Sequence, residues 1–171
     1  MPPQTGSDGQ NPGGSGSTNG PIVSDVLPKT QGINIFSSLT RDFEPISSRL
    51  NDASRNVTVL APRNSAIQAL PRKPWENPED YGKFGEVEAY QGEEGQDRAR
   101  KNLQRFVEAH LVPVSPWKEG EEAESLVGGK LRWTREGNKV FIEPGHIEVE
   151  TIAEQVYNGE VWVLNGVINY A

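Results

Sequence analysis

From Pro21 onward the apolar residues recur at helical spacing. Ile22, Val23, Val26 and Leu27 share one side of a short helix that Pro28 ends or kinks. Ile33, Ile35, Phe36, Leu39 and Phe43, then Ile46 and Leu50, continue the pattern, and Pro45 suits the first turn of a further helix. The period then shortens to two. The run Asn56-Val57-Thr58-Val59-Leu60-Ala61-Pro62 alternates, is rich in β-branched side chains and predicts a strand stopped by Pro62. Asn64 follows as the N-cap of a helix of one or two turns carrying Ala66, Ile67 and Leu70.

Between Arg72 and Gln96 periodicity disappears, which predicts a long polar loop. Four large aromatics lie in it, Trp75, Tyr81, Phe84 and Tyr90, and a solvated linker has no use for them. They either pin the loop to the domain or form a contact surface. Asp97 is the expected cap of a helix in which Ala99, Leu103, Phe106, Val107 and His110 line one side. Leu111 to Val114 leads out as an edge strand, where Pro113 is tolerated. The remainder reads as β: Leu126-Val127, Leu131 with Trp133, Val140 to Ile142, Ile147 to Ile152 and Val161 to Ile168. Asn158-Gly159 is the strongest hairpin signal, because a type I′ turn needs positive φ at both central positions. Helices early and strands late predict an α+β domain on antiparallel sheet.

Composition bounds this picture. Residues 1–20 hold six Gly, three Pro, three Ser and two Thr, too little apolar surface to offset ordering, so they read as a disordered linker before one domain over 21–171. The net charge of −7 gives no footprint for nucleic acid. No apolar run approaches a membrane span, and Met1-Pro2-Pro3-Gln4-Thr5 does not open a signal peptide, which leaves a leader or anchor to lie elsewhere. With no cysteine, thiolate catalysis and Cys-based zinc sites are excluded.

Catalytic chemistry finds little footing in what remains. His110 falls on an apolar helix face and reads as a core histidine bonded to backbone; His146, after Pro144-Gly145, reads as an exposed turn residue, and neither makes a local pair. The acidic groups Glu93, Glu94, Asp97 and Glu119, Glu121, Glu122, Glu124 lack the ligand intervals of a calcium loop and read as solvated charge. Paired carboxylates acting as acid and base would meet only through the fold, so a carboxylate-dependent hydrolase stays as a minor reading. Asn56-Val57-Thr58 matches the N-glycosylation acceptor.

Three ordered segments carry a family resemblance. Asn56 to Ile67, Phe106 to Val112 and Asn158 to Ile168 resemble the first block, the Tyr-His region and the closing block of the fasciclin (FAS1) domain. The resemblance implies a compact α+β fold, a small antiparallel β-wedge or sandwich packed with short helices, and no cofactor. Pro62, Asn64, Ala66, His110, Asn158, Gly159 and Gly166 take the family's structural positions. Ala109 stands where animal members carry Tyr, and Asn165 replaces the usual Asp. The stretches Lys73 to Tyr81 and Val112 to Trp117 look like the fungal branch, associated with the vacuole and secretory system. The implied role is non-catalytic adhesion or contact with a protein or glycan, by a chain that is monomeric in isolation. Trp75, Tyr81, Tyr90 and Trp117 are the expected contact residues. A membrane-tethered fusion or trafficking factor, anchored outside these residues, is the alternative.

Overall fold

The computed structural model of the chain describes residues 20–76 and 78–169. The linker assigned to residues 1–20 therefore lies outside the described residues, Gly20 excepted. The early helices form where spacing predicts them: α1 (Val23–Val26) runs into a 3-10 turn containing Pro28, and α2 (Asn34–Arg41) and α3 (Glu44–Leu50) follow, the latter with Pro45 in its first turn. Each is too short to be stable alone, so its stability comes from the buried face. Val23, Phe36, Ile46 and Leu50 supply that face.

Strand β1 (Val57–Pro62) is buried along its whole length. Val57, Val59 and Ala61 point to the helices, whereas Leu60 points to the opposite face, as the two-residue period requires. Helix α4 (Asn64–Gln68) follows at once. The stretch expected to be a loop is instead largely helical. It contains α5 (Pro78–Glu88), kinked at Gly85 (φ 83°), and the start of α6 (Gly92–Glu108). Asp97 consequently lies inside α6 and does not cap it; Gln91 holds that position.

Seven described strands make one sheet in the order β2-β1-β7-β6-β5-β4-β3. These are β2 (Leu111–Val112), β3 (Ala123–Glu124), β4 (Lys130–Glu136), β5 (Lys139–Glu143), β6 (Ile147–Val156) and β7 (Gly159–Leu164), beside β1. Leu126-Val127 is not strand but a turn between β3 and β4. All pairs are antiparallel except β1 with β7, which run parallel from Val57↔Gly159 to Pro62↔Leu164. Two register shifts in β6, at Val149/Thr151 and Ile152/Glu154, bend that strand. Residues from both ends of the sheet accordingly share a second core, in which Leu60, Val112, Trp117, Leu131, Ile142, Trp162 and Leu164 pack together. The result is a sheet with helices on one face and its own curled margin on the other. β1 and β7, central to both cores, carry the first and last family blocks.

Candidate functional site

His110 sits at the exit of α6 with no solvent exposure. Its rings of contact are Phe36 (centroids 5.6 Å) and Phe106 (4.8 Å). The Ile168 N–H donates to Nε2 (2.9 Å), so that nitrogen is an acceptor and the proton belongs on Nδ1, which donates to the Phe106 carbonyl (2.7 Å). Burial holds its pKa down at about 4, partly offset by the Phe106 carbonyl. A neutral imidazole thus ties the end of α6 to the chain after β7. The expectation of a core histidine bonded to backbone is met.

His146 is the exposed turn residue expected, but it does make a local pair. It occupies the β5–β6 turn at φ 50° and pairs locally, Nδ1 with Glu143 Oε2 at 2.7 Å, while Nε2 lies 3.8 Å from Glu136 Oε1. Its ring stacks on Phe141 (3.9 Å, 10°). The Glu143 hydrogen bond raises its pKa, against some desolvation and with help from the Glu136 charge, and the Glu143 carboxyl is lowered mainly by the same bond. Sequence spacing concealed this pair because the turn folds residue 146 back over 143.

The family positions act through backbone geometry. Asn64 does not cap its own helix, for which Arg63 is the N-cap. Its Oδ1 accepts from the Ile35 N–H (3.0 Å) in the first turn of α2, and its N–H donates to the Gly32 carbonyl (2.8 Å). It joins two helices. Ala66 donates its N–H to the Arg63 carbonyl (3.0 Å), opening α4 directly after Pro62 ends β1. The Asn158-Gly159 hairpin is also built otherwise. The two turn residues between β6 and β7 are Tyr157 and Asn158, and neither Asn158 nor Gly159 has positive φ. Asn158 is fully buried; its Oδ1 accepts from the Val23 N–H (2.8 Å), and its Nδ2 donates to the carbonyls of Leu50 (3.4 Å) and Asp52 (3.2 Å). Gly159 is needed for close approach, since a Cβ there would run into the Val57 carbonyl. Gly166 is less crowded, its nearest neighbour being Ile147 Cγ2 at 3.2 Å.

The aromatic residues separate into packed and presented. Trp117 is only 4% exposed, stacks on Trp162 (5.6 Å, 20°) and donates its Nε1–H to the Glu121 carbonyl (2.8 Å), so it is core and offers no contact face. Trp75 meets Tyr90 edge to face (5.0 Å, 88°). Asn102, on α6, donates to the Trp75 carbonyl (2.8 Å) and Asp80 Oδ2 (3.0 Å), and the Tyr90 hydroxyl donates to the same carboxylate (3.0 Å). These bonds pin residues 75–90 to α6. Tyr81 belongs to α5, but its side chain lies outside the described residues. Phe84 is 41% exposed, with the Arg98 guanidinium 3.8 Å over its ring, while Arg98 Nε donates to the Ala89 carbonyl (2.8 Å). Sequence reading noticed Phe84 but passed over Asn102 and Arg98, whose partners are nine to 27 residues away. Asn56, the sequon residue, is exposed.

The fasciclin domain family profile matches residues 31–170. The chain belongs to the fasciclin domain family. It is 70% identical over 150 residues to a FAS1 domain-containing protein of Aspergillus fumigatus, a match covering 88% of this chain and 64% of that protein. A FAS1 domain-containing protein of Neurospora crassa is 48% identical over 170 residues, covering 99% of this chain and 74% of its own. The chain thus spans less than two thirds of the Aspergillus relative's length. Among solved structures, a FAS1 domain pair from the insect cell adhesion molecule Fasciclin I superposes with a TM-score of 0.60 at 16% identity, over 86% of this chain and 50% of that one. At that identity the likeness establishes the fold. Fasciclin domains are commonly non-catalytic interaction modules. In this one, the family histidine is spent on holding α6 to the closing strand, and no described helix is long and apolar enough to cross a membrane.

Proposed function

We propose that this fasciclin domain is a non-catalytic interaction module of the fungal vacuolar or secretory system, monomeric in isolation, that presents α5 and the start of α6 to a protein or glycan partner. The observation that carries the reading is Phe84 under Arg98. An exposed Phe ring under a guanidinium, on a segment fixed to the domain by Asn102, combines two residue types enriched at interfaces with a preordered support. Trp75 and Tyr90 pack edge to face on each other in the same segment, and Trp117, buried, is no longer part of the surface.

The test uses the full-length natural protein, tagged and crosslinked in its own cells. Phe84→Ser is expected to lose partner capture while the urea midpoint stays within error; Arg98→Ala is expected to lose capture with only a small drop in the midpoint, because its Nε also bonds the Ala89 carbonyl, and Trp75→Ala to lose both. Capture unaffected by Phe84→Ser and Arg98→Ala would sink the surface assignment. A tagged copy that resides in the cytosol would sink the compartment.

A further inference from the structure

We infer that Asn56 is an N-glycosylation acceptor that only the unfolded chain can offer, so that carbohydrate is added before β1 enters the sheet. This rests on the secretory part of the proposed function. In the folded domain every element of the Asn56-Val57-Thr58 sequon is committed, although Asn56 itself lies at the surface. Val57 and Thr58 have no exposed surface. The Val57 N–H donates to the Asn158 carbonyl (2.9 Å), and the Thr58 hydroxyl, which the acceptor motif requires, donates to the Val114 carbonyl (2.6 Å). Asn56 Nδ2 itself donates to the Ser115 carbonyl (3.1 Å). A transferase that reads the hydroxyl in a flexible segment finds neither.

The topology supplies an interval in which this is not so. Thr58 pairs with Val112 on one side and Glu160 on the other. At ~5–20 residues per second the later partner is made about 5 to 20 s after the sequon. β1 cannot acquire its parallel neighbour sooner. The transfer is balanced simply. Asn56 Nδ2 forms a bond to the anomeric carbon of a lipid-diphosphate-linked oligosaccharide, the carbon–oxygen bond to the diphosphate breaks with its electron pair, and one Nδ2 proton passes to a base of the transferase. Nδ2 keeps one hydrogen, and Asn56 lies at an exposed position.

Two arms test this with the full chain. In the first, purified protein is incubated with a solubilised oligosaccharyl transferase and its lipid-linked donor. The native protein is expected to give no endoglycosidase-sensitive mass shift, and the same protein held unfolded in the lowest tolerated urea, or destabilised by His110→Ala, to give one. Asn56→Gln and Thr58→Val abolish the shift under unfolding conditions, and Thr58→Ser retains it. Equal modification of native and unfolded protein, or none of the unfolded protein, overturns the inference. In the second arm the natural protein is recovered from its cells. If it is found outside the secretory organelles, the compartment reading fails while the first arm's result stands; if found inside them with Asn56 bare, the inference fails.

Discussion

The two histidines of this domain occupy opposite physical states. His110 is enclosed at the junction of α6 and the closing chain, with both ring nitrogens bonded to backbone; His146 projects from the β5–β6 turn beside two carboxylates. Burial makes the first a fixed connector with a pKa of about 4, and the nearby acids raise the second above its usual value. The same side chain is therefore structural in one region and titratable in the other. What differs is water and neighbouring charge, not residue type. The contrast extends to the amides: Asn158, buried, holds α1 and α3 to the β6–β7 turn, whereas Asn102 works at a half-buried helix surface.

Removing the buried connector should produce the largest effect. His110→Ala leaves a cavity beside Phe36 and Phe106 and orphans the Phe106 carbonyl and the Ile168 N–H, so a loss of about 4 kcal/mol is expected in urea denaturation. A loss below about 1 kcal/mol would mean the site relaxes and that the comparison is overstated.

The pH response sharpens it next. Between pH 6.5 and about 4 the unfolded chain protonates His110 and the folded chain does not, so unfolding takes up a proton and stability falls as the pH is lowered through that window. The expected loss attributable to His110 is about 3 kcal/mol, read as the difference between the wild-type curve and that of His110→Gln. A flat difference between pH 4 and 6.5 would show that the imidazole is charged in the native state. Asn158→Ala comes third. It strips one acceptor from the Val23 N–H and one donor from the Leu50 and Asp52 carbonyls, and a loss of about 2 kcal/mol is expected.

These residues also mark how far the sequence could be read. The α+β class, the early helices, β1 and the buried state of His110 follow from periodicity, because each rests on a local apolar pattern. Spacing along the chain assigns Asn64 and Asn158 local jobs, a cap and a turn. Both instead reach across the fold, to Ile35 and to Val23, and spacing along the chain carries no record of such partners. Gly159 was read for its freedom of φ, yet the approach of the β1 carbonyl demands it, which only the parallel β1–β7 pairing reveals. The helical character of residues 78–88 is hidden in the sequence for a further reason. Gly85 breaks the period, and the segment is held to α6 largely by Asn102, Asp80 and Arg98, polar side chains that leave no apolar stripe.

That polar attachment predicts a smaller, local effect. Asn102→Ala removes donors to Trp75 and Asp80 at a half-buried position where water can substitute, so about 1 kcal/mol is expected. Hydrogen exchange should rise in residues 75–90 and remain unchanged in β1 and β7. Uniform loss of protection would mean that this segment is part of the global folding unit, and the distinction between a pinned surface and a buried connector would then fail.

The smallest effect separates the two histidines most directly. Proton NMR titration should give one imidazole that stays neutral to about pH 4 and another that titrates above 6.5. Because the folded pKa of His146 is raised, its contribution is complete below pH 6.5 and is lost as the pH rises through the folded value, a window that begins where that of His110 ends. Glu143→Gln removes the largest cause of the shift and should return His146 toward 6.5 without moving His110, with Glu136→Gln acting in the same direction but less, since that carboxylate lies 3.8 Å away. At an exposed turn the change in unfolding midpoint should be within error. Two titrations that move together under Glu143→Gln would show that the sheet couples the regions, and the contrast between them would be one of degree.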